Sequence, residues 1–325
     1  MTADAAIEIA GLGKTFISGL RRRRTVALRE LDLTVAPGEI FGFLGPNGAG
    51  KTTAIKILVD LIRADSGSAR IFGISSRDRR ARRRLAYLPE LPNFYDYLNA
   101  RELLQHLGRL SGLEHNFLRG RVPRLLEKVG LDPGDRRPLR KYSKGMLQRV
   151  GIAQAMLADP DLYILDEPMG GLDPLGRRWM KELIAELGRQ GKTVFFSSHV
   201  LAEAEAVCSR VAFIHRGRLI AQGQLNELLS GGRQEWEIVV AGTKAGNDPS
   251  LRQLYHQARS SGSETVFTLG SEHDQQRLLQ ALLEKGQRVI SLNRRHASLE
   301  DLFVRLVGGE SPAAGSGQVG GSGGN

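Results

Sequence analysis

An eight-residue loop rich in glycine constrains the fold of this chain more than any other feature of its sequence. The apolar segment from Glu39 to Leu44 has the character of a strand, and the segment from Thr53 to Ile62 has helical spacing. The loop between them reads Gly45-Pro46-Asn47-Gly48-Ala49-Gly50-Lys51-Thr52. A strand, a glycine-rich turn and a helix in this order are typical of one unit of an α/β fold.

The same loop has the spacing of a phosphate-binding site. Glycines let backbone N–H groups converge on a phosphate, and the N-terminus of the following helix adds the positive end of its dipole. In this pattern Lys51 reaches the β- and γ-phosphates, and the Thr52 hydroxyl is a ligand of Mg²⁺. We therefore predict that the whole loop contacts a nucleotide, together with Thr53 in the first helical turn.

A second apolar strand ends in two acids. Leu162 to Leu165 is followed directly by Asp166 and Glu167. Carboxylates that emerge from a buried strand are costly unless they hold a metal ion or a polarised water. The pattern predicts that Asp166 completes the Mg²⁺ shell and that Glu167 takes a proton from the attacking water.

With these elements in place, residues 7–230 resemble the ATP-binding cassette ATPases of membrane transporters. Three further motifs carry the resemblance: Tyr142-Ser143-Lys144-Gly145-Met146-Leu147-Gln148 is similar to the family signature, Gly170-Gly171-Leu172-Asp173-Pro174 to the D-loop, and Ser197-Ser198-His199 to the switch histidine. The resemblance implies that Ser143, Gly145 and Asp173 contact nucleotide, and that His199 acts in catalysis with Lys51 and Glu167. It also implies that Phe16 stacks on adenine, although Phe16 by itself is equally compatible with a core position.

Two places depart from the pattern of that family. In the signature, Lys144 stands where the family has a glycine and Met146 where it has a glutamine, which predicts altered kinetics at an active site. Glu90 stands where the family has a glutamine that senses Mg²⁺ and the transporter. We expect the Glu90 carboxylate to contact the metal ion or a water, and its charge to weaken ATP binding slightly.

The order of predicted elements indicates an α/β fold of the P-loop type with a helical subdomain. The resemblance adds an antiparallel β subdomain to this core. Residues from about 90 to 158 have an almost entirely helical pattern, and Asn99 with Glu102 predicts a capping box. Composition shifts near residues 230–232, which predicts a nucleotide-binding domain over 1–230. A small α+β domain is expected over 233–310, followed by a flexible Gly/Ser tail over 311–325.

Composition and charge exclude several classes of protein. The longest apolar runs are far shorter than the roughly 18–20 residues that cross a bilayer, and the first residues lack the pattern of a secretion signal. A single cysteine, Cys208, excludes an internal disulfide and a cysteine-based metal cage. The chain has a net charge of +11, and ten of its arginines lie in two clusters, at residues 21–24 and 77–84. Such clusters attract the phosphates of nucleic acids or lipids, and they are equally compatible with solvated loops.

The function that the resemblance implies is ATP hydrolysis coupled to transport, with ATP and Mg²⁺ as cofactors. The C-terminal Ala297 to Phe303 is similar to the small domain of exporter ATPases, so we expect an exporter with a separate membrane permease. Since one chain carries half of each site, we expect a homodimer that is cytoplasmic and bound through the permease to the inner face of the membrane. Phe94, Tyr95 and Tyr97 are expected to receive the permease, unless they pack inside the helical subdomain.

Two other functions remain open at this point. A cassette ATPase acting on nucleic acid or ribosomes would explain the positive charge. Family members of that type, however, carry long coiled coils or two cassettes, and this sequence has neither, so we expect no nucleic-acid partner. A cassette that transmits force to a partner without moving cargo would have the same motifs.

Overall fold

The computed structural model describes residues 5–18, 23–230, 235–242, 248–295 and 298–308. Its chain divides into two compact units between Leu225 and Asn226, a few residues before the composition shift near residue 230. The Gly/Ser tail expected over 311–325 and part of the arginine cluster at 21–24 lie outside the described residues.

A six-stranded sheet forms the centre of the first unit, in the order β10-β9-β3-β8-β7-β6. Its strands are β3 (Ile40–Leu44), β6 (Leu85–Leu88), β7 (Leu162–Leu165), β8 (Thr193–Ser198), β9 (Arg210–His215) and β10 (Arg218–Gln224). All neighbours pair in parallel except β10, which is antiparallel to β9 at the edge. The carboxyl ends of β3, β7 and β8 therefore meet at one edge of the sheet, which is where α/β proteins bind ligands. The predicted α/β class is confirmed.

A second, antiparallel sheet precedes and interrupts the central one along the chain. It has the order β2-β1-β4-β5, with β1 (Ile7–Ser18), β2 (Arg23–Val35), β4 (Ser66–Ile71) and β5 (Ile74–Ser75). Apolar residues of this sheet, such as Ile7 and Leu31, share one buried core with Phe41 and Phe195 of the central sheet and with Ile55 of the first helix. The two sheets thus form one folding unit around the start of that helix.

Eight helices belong to residues 51–230: α1 (Lys51–Leu58), α2 (Arg79–Arg82), α3 (Ala100–Leu110), α4 (His115–Lys128), α5 (Lys144–Ala155), α6 (Pro174–Arg189), α7 (Leu201–Glu205) and α8 (Leu225–Ser230). The predicted capping box at α3 is confirmed. The Asn99 side-chain oxygen accepts the backbone N–H of Glu102 at 2.9 Å, and a Glu102 carboxylate oxygen accepts the backbone N–H of Asn99 at 3.0 Å. The segment 90–158 is less helical than predicted. Its prolines interrupt hydrogen bonding before α3 and before a short 3₁₀ turn at Leu139–Lys141.

One proline has the opposite outcome. Pro123 favours a break in the helical pattern, but α4 continues through it to Lys128. A proline inside a helix costs about 3 kcal/mol or more, because it removes one hydrogen bond and crowds the preceding turn. The face of α4 that carries Leu118, Val122 and Leu126 is buried, and burying side chains of this size returns about 1.5–3 kcal/mol each. Packing therefore outweighs the local preference.

The second unit contains a four-stranded antiparallel sheet in the order β12-β13-β11-β14. Its elements are β11 (Glu235–Ala241), β12 (Gln257–Ser261), β13 (Glu264–Leu269), α9 (Glu272–Glu284), β14 (Val289–Arg295) and α10 (Leu299–Gly308). The sequence pattern over 249–258 predicts a helix, and this prediction is wrong. A 3₁₀ turn ends at Leu254, and Gln257–Ser261 instead pairs with β13, which satisfies its backbone across the sheet.

No helix in the described part of the chain is long and apolar enough to cross a membrane.

Candidate functional site

The glycine-rich loop lies where the sequence predicts it, between the end of β3 at Leu44 and the start of α1 at Lys51. Gly50 has a φ of 113°, and a Cβ atom there would lie 2.5 Å from the carbonyl oxygen of Ala27, so this position excludes any side chain. The first N–H groups of α1, including that of Thr53, have no carbonyl acceptor within their own helix. They form a positively polarised cradle suited to an anion.

Lys51 is buried, and its ammonium group is held by the loop itself. Nζ donates to the carbonyl oxygens of Gly45, at 2.6 Å, and Pro46, at 3.2 Å. It also lies 3.1 Å from Oε1 of Glu167, a buried oxygen that accepts no hydrogen bond from any described residue. A lysine held at the mouth of a phosphate cradle supplies a fixed cation there.

Asp166 follows the last residue of β7 and is almost completely buried. Its Oδ1 accepts hydrogen bonds from the Ser197 hydroxyl at 2.6 Å and the Thr52 hydroxyl at 3.2 Å. Burial raises the pKa of the Asp166 carboxyl, and these two hydrogen bonds oppose the shift. The structure therefore brings together two of the three residues that the sequence predicts as Mg²⁺ ligands, Thr52 and Asp166.

The donor set suits Mg²⁺, because a hydroxyl and a carboxylate oxygen are hard ligands of the kind this ion prefers. Within the described ranges, no three His, Cys, Asp or Glu side chains gather as a metal site. The protein thus offers only part of a coordination shell, which is usual for Mg²⁺ bound together with phosphates and waters. Glu90 is exposed after β6 and makes no hydrogen bond or ion pair with any other described residue, so its contact with the metal ion stays a prediction.

Glu167 is held by contacts on every side. Its backbone has a φ of 47°, a strained conformation for a residue with a side chain, and its N–H donates to the Ser197 hydroxyl at 2.9 Å. Oε2 lies 2.8 Å from Nδ1 of His199 and accepts the His199 backbone N–H at 3.3 Å. The carboxylate therefore sits between an imidazole and the Lys51 ammonium, in a geometry that suits a general base.

Ser197 belongs to the switch-like motif, but the sequence analysis gives it no role at the site. Its hydroxyl donates to Asp166 and accepts from the backbone of Glu167, so one side chain aligns both acids. Its position in the sequence was the available signal, because Ser197 lies two residues before His199 and near the end of β8. Its chemistry was not visible in the sequence, because serine at a strand end is common and its partners come from another strand.

The signature-like and D-loop-like residues form a separate group. Ser143 caps α5 by accepting the Met146 N–H, and Asp173 caps α6 by accepting the Gly176 N–H. In the described part of the chain, no hydrogen bond joins Ser143, Gly145 or Asp173 to the phosphate loop. Within one copy, the predicted site is therefore divided between two places.

Lys144, the unusual residue of the signature, lies against the D-loop-like segment. A Cβ atom at Gly171 would be 2.5–2.7 Å from the last atoms of the Lys144 side chain. The lysine therefore occupies space that a larger residue at 171 would need.

Phe16 lies on β1 with 40% of its surface exposed, so it is not a core residue. The Lys14 ammonium is 5.5 Å from the centre of its ring. An exposed aromatic face of this kind is available for stacking.

The aromatic segment before α3 borders an open groove of about 550 Å³. Phe94 and Tyr95 line it together with Leu61 and Tyr87, and Tyr97 lies nearby with 65% of its surface exposed. Packing inside the helical subdomain thus accounts for neither tyrosine. Burial raises the pKa of the Tyr87 hydroxyl to about 12, with a smaller contribution from Asp166, so this side of the groove is neutral.

The arginine cluster at 77–84 contains two kinds of residue. Arg80, Arg82 and Arg84 form ion pairs with Asp78, Asp60 and Asp161. In contrast, the side chains of Arg77, Arg79 and Arg83 are exposed and make no ion pair with any described residue. Half of the cluster is therefore structural, and half is available to an anionic partner.

Comparison with known proteins agrees with this geometry. Residues 28–170 match the family of ABC transporters. The chain is 42% identical over 304 residues to an ABC transporter ATP-binding protein of Synechocystis, covering 93% of this chain and 84% of that protein. The chain belongs to the ABC transporter ATPases. The resemblance found in the sequence and the predicted ATPase activity are confirmed.

Two relatives have names that state a transport role. A bacitracin transport ATP-binding protein of Bacillus licheniformis is 36% identical, covering 86% of this chain and 92% of its own. A Nod factor export ATP-binding protein of Ralstonia nicotianae is 35% identical, covering 92% and 96%. This ABC ATPase is an ATP-binding subunit with exporter-type relatives.

Solved structures show the same fold. An ATP-binding subunit of an ABC transporter is 32% identical with a TM-score of 0.62, covering 69% of this chain and 92% of its own. The ATP-binding cassette MJ0796, solved as a dimer with ADP and Pi, has a TM-score of 0.62 at 22% identity, covering 67% and 98%.

Proposed function

We propose that this ABC ATPase drives an exporter as a homodimer, on a separate membrane permease and with Mg²⁺ as its metal ion. The observation that carries the proposal is the position of Glu167, whose carboxylate lies between Lys51 and His199 and beside the Asp166–Thr52 pair. Exporter-type relatives support the direction of transport. Attachment to a permease would hold the protein at the inner face of the membrane.

The proposed chemistry divides among residues already described. The loop N–H groups and Lys51 bind the β- and γ-phosphates. When both ring nitrogens carry a proton, His199 can donate Nδ1–H to Glu167 and Nε2–H to a γ-phosphate oxygen. Glu167 takes the proton of the attacking water through the oxygen that faces Lys51, and the imidazole keeps the carboxylate oriented. Thr52 and Asp166 would hold Mg²⁺, which neutralises phosphate charge when bound.

Two copies are needed because, within one copy, the residues predicted to contact the nucleotide lie in two separate places. The N-terminus of α5, with Ser143 and Gly145, offers a second positively polarised helix end that no hydrogen bond joins to its own phosphate loop. In a head-to-tail homodimer, this helix end would face the γ-phosphate bound by the other copy. Each ATP would then be sandwiched, and closure of the dimer would pull on the permease.

The groove beside Phe94 and Tyr95 is the surface that we assign to the permease. It is open, partly apolar and bordered by exposed Leu91 and Tyr97, and contiguous exposed apolar surface marks sites of protein contact. Tyr87 of β6 lines the groove, and β6 leads directly to Glu90. A permease bound in the groove would therefore lie close to the predicted metal contact.

Trapping the closed dimer tests this proposal. Glu167→Gln keeps the shape of the side chain but cannot accept a proton, so hydrolysis should slow about 10²–10⁴-fold while Mg-ATP still binds. The variant should therefore accumulate as an ATP-bound dimer in size-exclusion chromatography. Asp166→Asn should weaken Mg²⁺ binding and the dimer together.

Glu182→Gln is the matched control, because Glu182 is an exposed glutamate whose ion pair among the described residues is with Arg178 on the same helix. It should behave like wild type in both assays. A Glu167→Gln protein that stays monomeric with Mg-ATP and hydrolyses at the wild-type rate would contradict both the base and the sandwich.

A further inference from the structure

A chain of polar contacts joins the D-loop-like segment to the turn that carries His199. Arg177 lies in the first turn of α6, and its Nε donates to the carbonyl oxygen of Leu172 at 3.2 Å. Its Nη1 lies 3.7 Å from Oε1 of Glu203 on α7. The other Glu203 oxygen accepts the hydroxyl of Ser198 at 2.9 Å. None of these side chains has a role in the chemistry described above.

The Ser198 hydroxyl closes the turn around His199. It accepts the backbone N–H of Val200 at 3.0 Å, and it has two acceptors within reach, Glu203 and the carbonyl oxygen of Val200 at 3.1 Å. A hydroxyl has one proton, and an ionised carboxylate is the stronger acceptor. Glu203 therefore fixes the Ser198 side chain, which in turn fixes the backbone on both sides of the imidazole.

Arg177 supplies the positive charge that faces Glu203. Only 12% of its side chain is exposed, and burial raises the pKa of its carboxyl, whereas Ser198 and Arg177 oppose that shift. The charge of Glu167 also raises this pKa, and His199 lowers it. Arg177 is about half exposed, so its long side chain can follow a moving segment while it stays paired.

We propose that Arg177 and Glu203 form a relay that sets the position of His199 according to the position of the segment 170–174. They are positioning residues, because neither contacts the acids or the phosphate loop. The inference rests on the proposed roles of Glu167 and His199 in hydrolysis. A movement at Leu172, next to Asp173, is transmitted through the guanidinium to Glu203 and to the turn that holds the imidazole 2.8 Å from Glu167.

The test uses the full chain with Arg177→Gln, Glu203→Gln and the double variant. Because small misplacements of a catalytic group are costly, each single variant should lose about tenfold in kcat for ATP, with KM changed less than about twofold. Two residues of one relay should not act additively, so the double variant should also lose about tenfold. Arg177→Lys can keep one of the two contacts but not both, and should recover only part of kcat.

Arg178→Gln is the matched control, since Arg178 follows Arg177 on the same helix and forms a closer ion pair, at 2.9 Å, that points to solvent. It should keep the wild-type kcat. The relay is overturned if Arg177→Gln equals Arg178→Gln, if the losses multiply in the double variant, or if kcat falls only in step with the melting temperature. Should Arg177→Gln not fold, Arg177→Lys and Glu203→Gln are judged by the same criteria.

Glu167→Gln serves as the reference that separates this inference from the proposed function. If Glu167→Gln hydrolyses ATP normally, the proposed function fails. If Glu167→Gln is inactive and Arg177→Gln turns over like wild type, only the relay fails.

Discussion

The Lys51 ammonium lies 3.1 Å from Oε1 of Glu167, and both side chains are almost fully buried. The cation that is expected to bind the γ-phosphate thus also neutralises the expected base. Breaking a buried pair by removing one partner is costly, because the other charge is left without compensation. The two residues are therefore coupled both in binding and in stability.

Lys51→Ala should abolish hydrolysis and also ATP-dependent dimer formation. The γ-phosphate loses its main cation, and the buried Glu167 carboxylate loses its neighbouring charge. Steady-state ATPase measurements and size-exclusion chromatography with Mg-ATP check both effects. Lys56→Ala, which removes a lysine from the last turn of the same helix, is the control and should remain active. Unchanged turnover in Lys51→Ala would rule out the assigned site.

Phe16→Ala should weaken ATP binding by about 1 kcal/mol or more and leave turnover at saturating ATP unchanged. Stacking on adenine contributes affinity for the nucleotide but takes no part in the reaction at the γ-phosphate. Fluorescence titration with a labelled ATP analogue and the KM for ATP report the change. Ile17→Ala is the control, because neighbouring strand residues point to opposite faces and Ile17 is also exposed. A KM equal to that of wild type would remove Phe16 from the binding site.

Asp135 should make the region before the signature-like helix sensitive to acid. Hydrogen bonds from Arg137, with a further one from the Tyr142 hydroxyl, lower the pKa of Asp135 to about 2. A carboxylate whose pKa is lower in the folded chain adds stability above its unfolded pKa of about 3.9, and that stability is lost as the pH falls towards 2.

Asp135→Asn should therefore melt at a lower temperature than wild type at pH 5, and the difference should shrink as the pH approaches 2. Melting curves at pH 5, 4, 3 and 2 measure it. A difference that is constant over this range would mean that the loss comes from the shape of the side chain and not from its charge.

Neutralising Arg77, Arg79 and Arg83 should reduce association with the membrane or the permease without changing the ATPase activity of the isolated protein. These three side chains are exposed and unpaired among the described residues, so their removal breaks no ion pair of the fold. Sedimentation with permease-containing membranes and steady-state ATPase assays measure the two effects.

The control for the loss of charge is the triple variant of Arg101, Arg119 and Arg124, three exposed arginines of α3 and α4. An equal loss in both assays would make the cluster structural. A loss of DNA binding with a steep dependence on salt would instead favour the function on nucleic acid.

Several parts of this protein were predictable because they depend on short segments. The strand before the glycine-rich loop, the strand Leu162–Leu165 before the two acids and the capping box of α3 all follow from patterns within about ten residues. The family followed from the order of its motifs. A reaction that needs certain residue types at a fixed spacing can be recognised in the sequence, because the backbone of a short segment sets how its side chains are placed.

Other parts were decided only by contacts between distant segments. Ser197 aligns both acids across neighbouring strands, and Arg177 meets Glu203 from another helix. Gln257–Ser261 became a strand because β13 offered it partners, and α4 runs through Pro123 because its apolar face is buried. Local preferences amount to at most a few kcal/mol, whereas burial and pairing with remote segments contribute as much or more. The sequence determined which chemistry this ATPase carries, and the tertiary structure decided which side chains hold it in place.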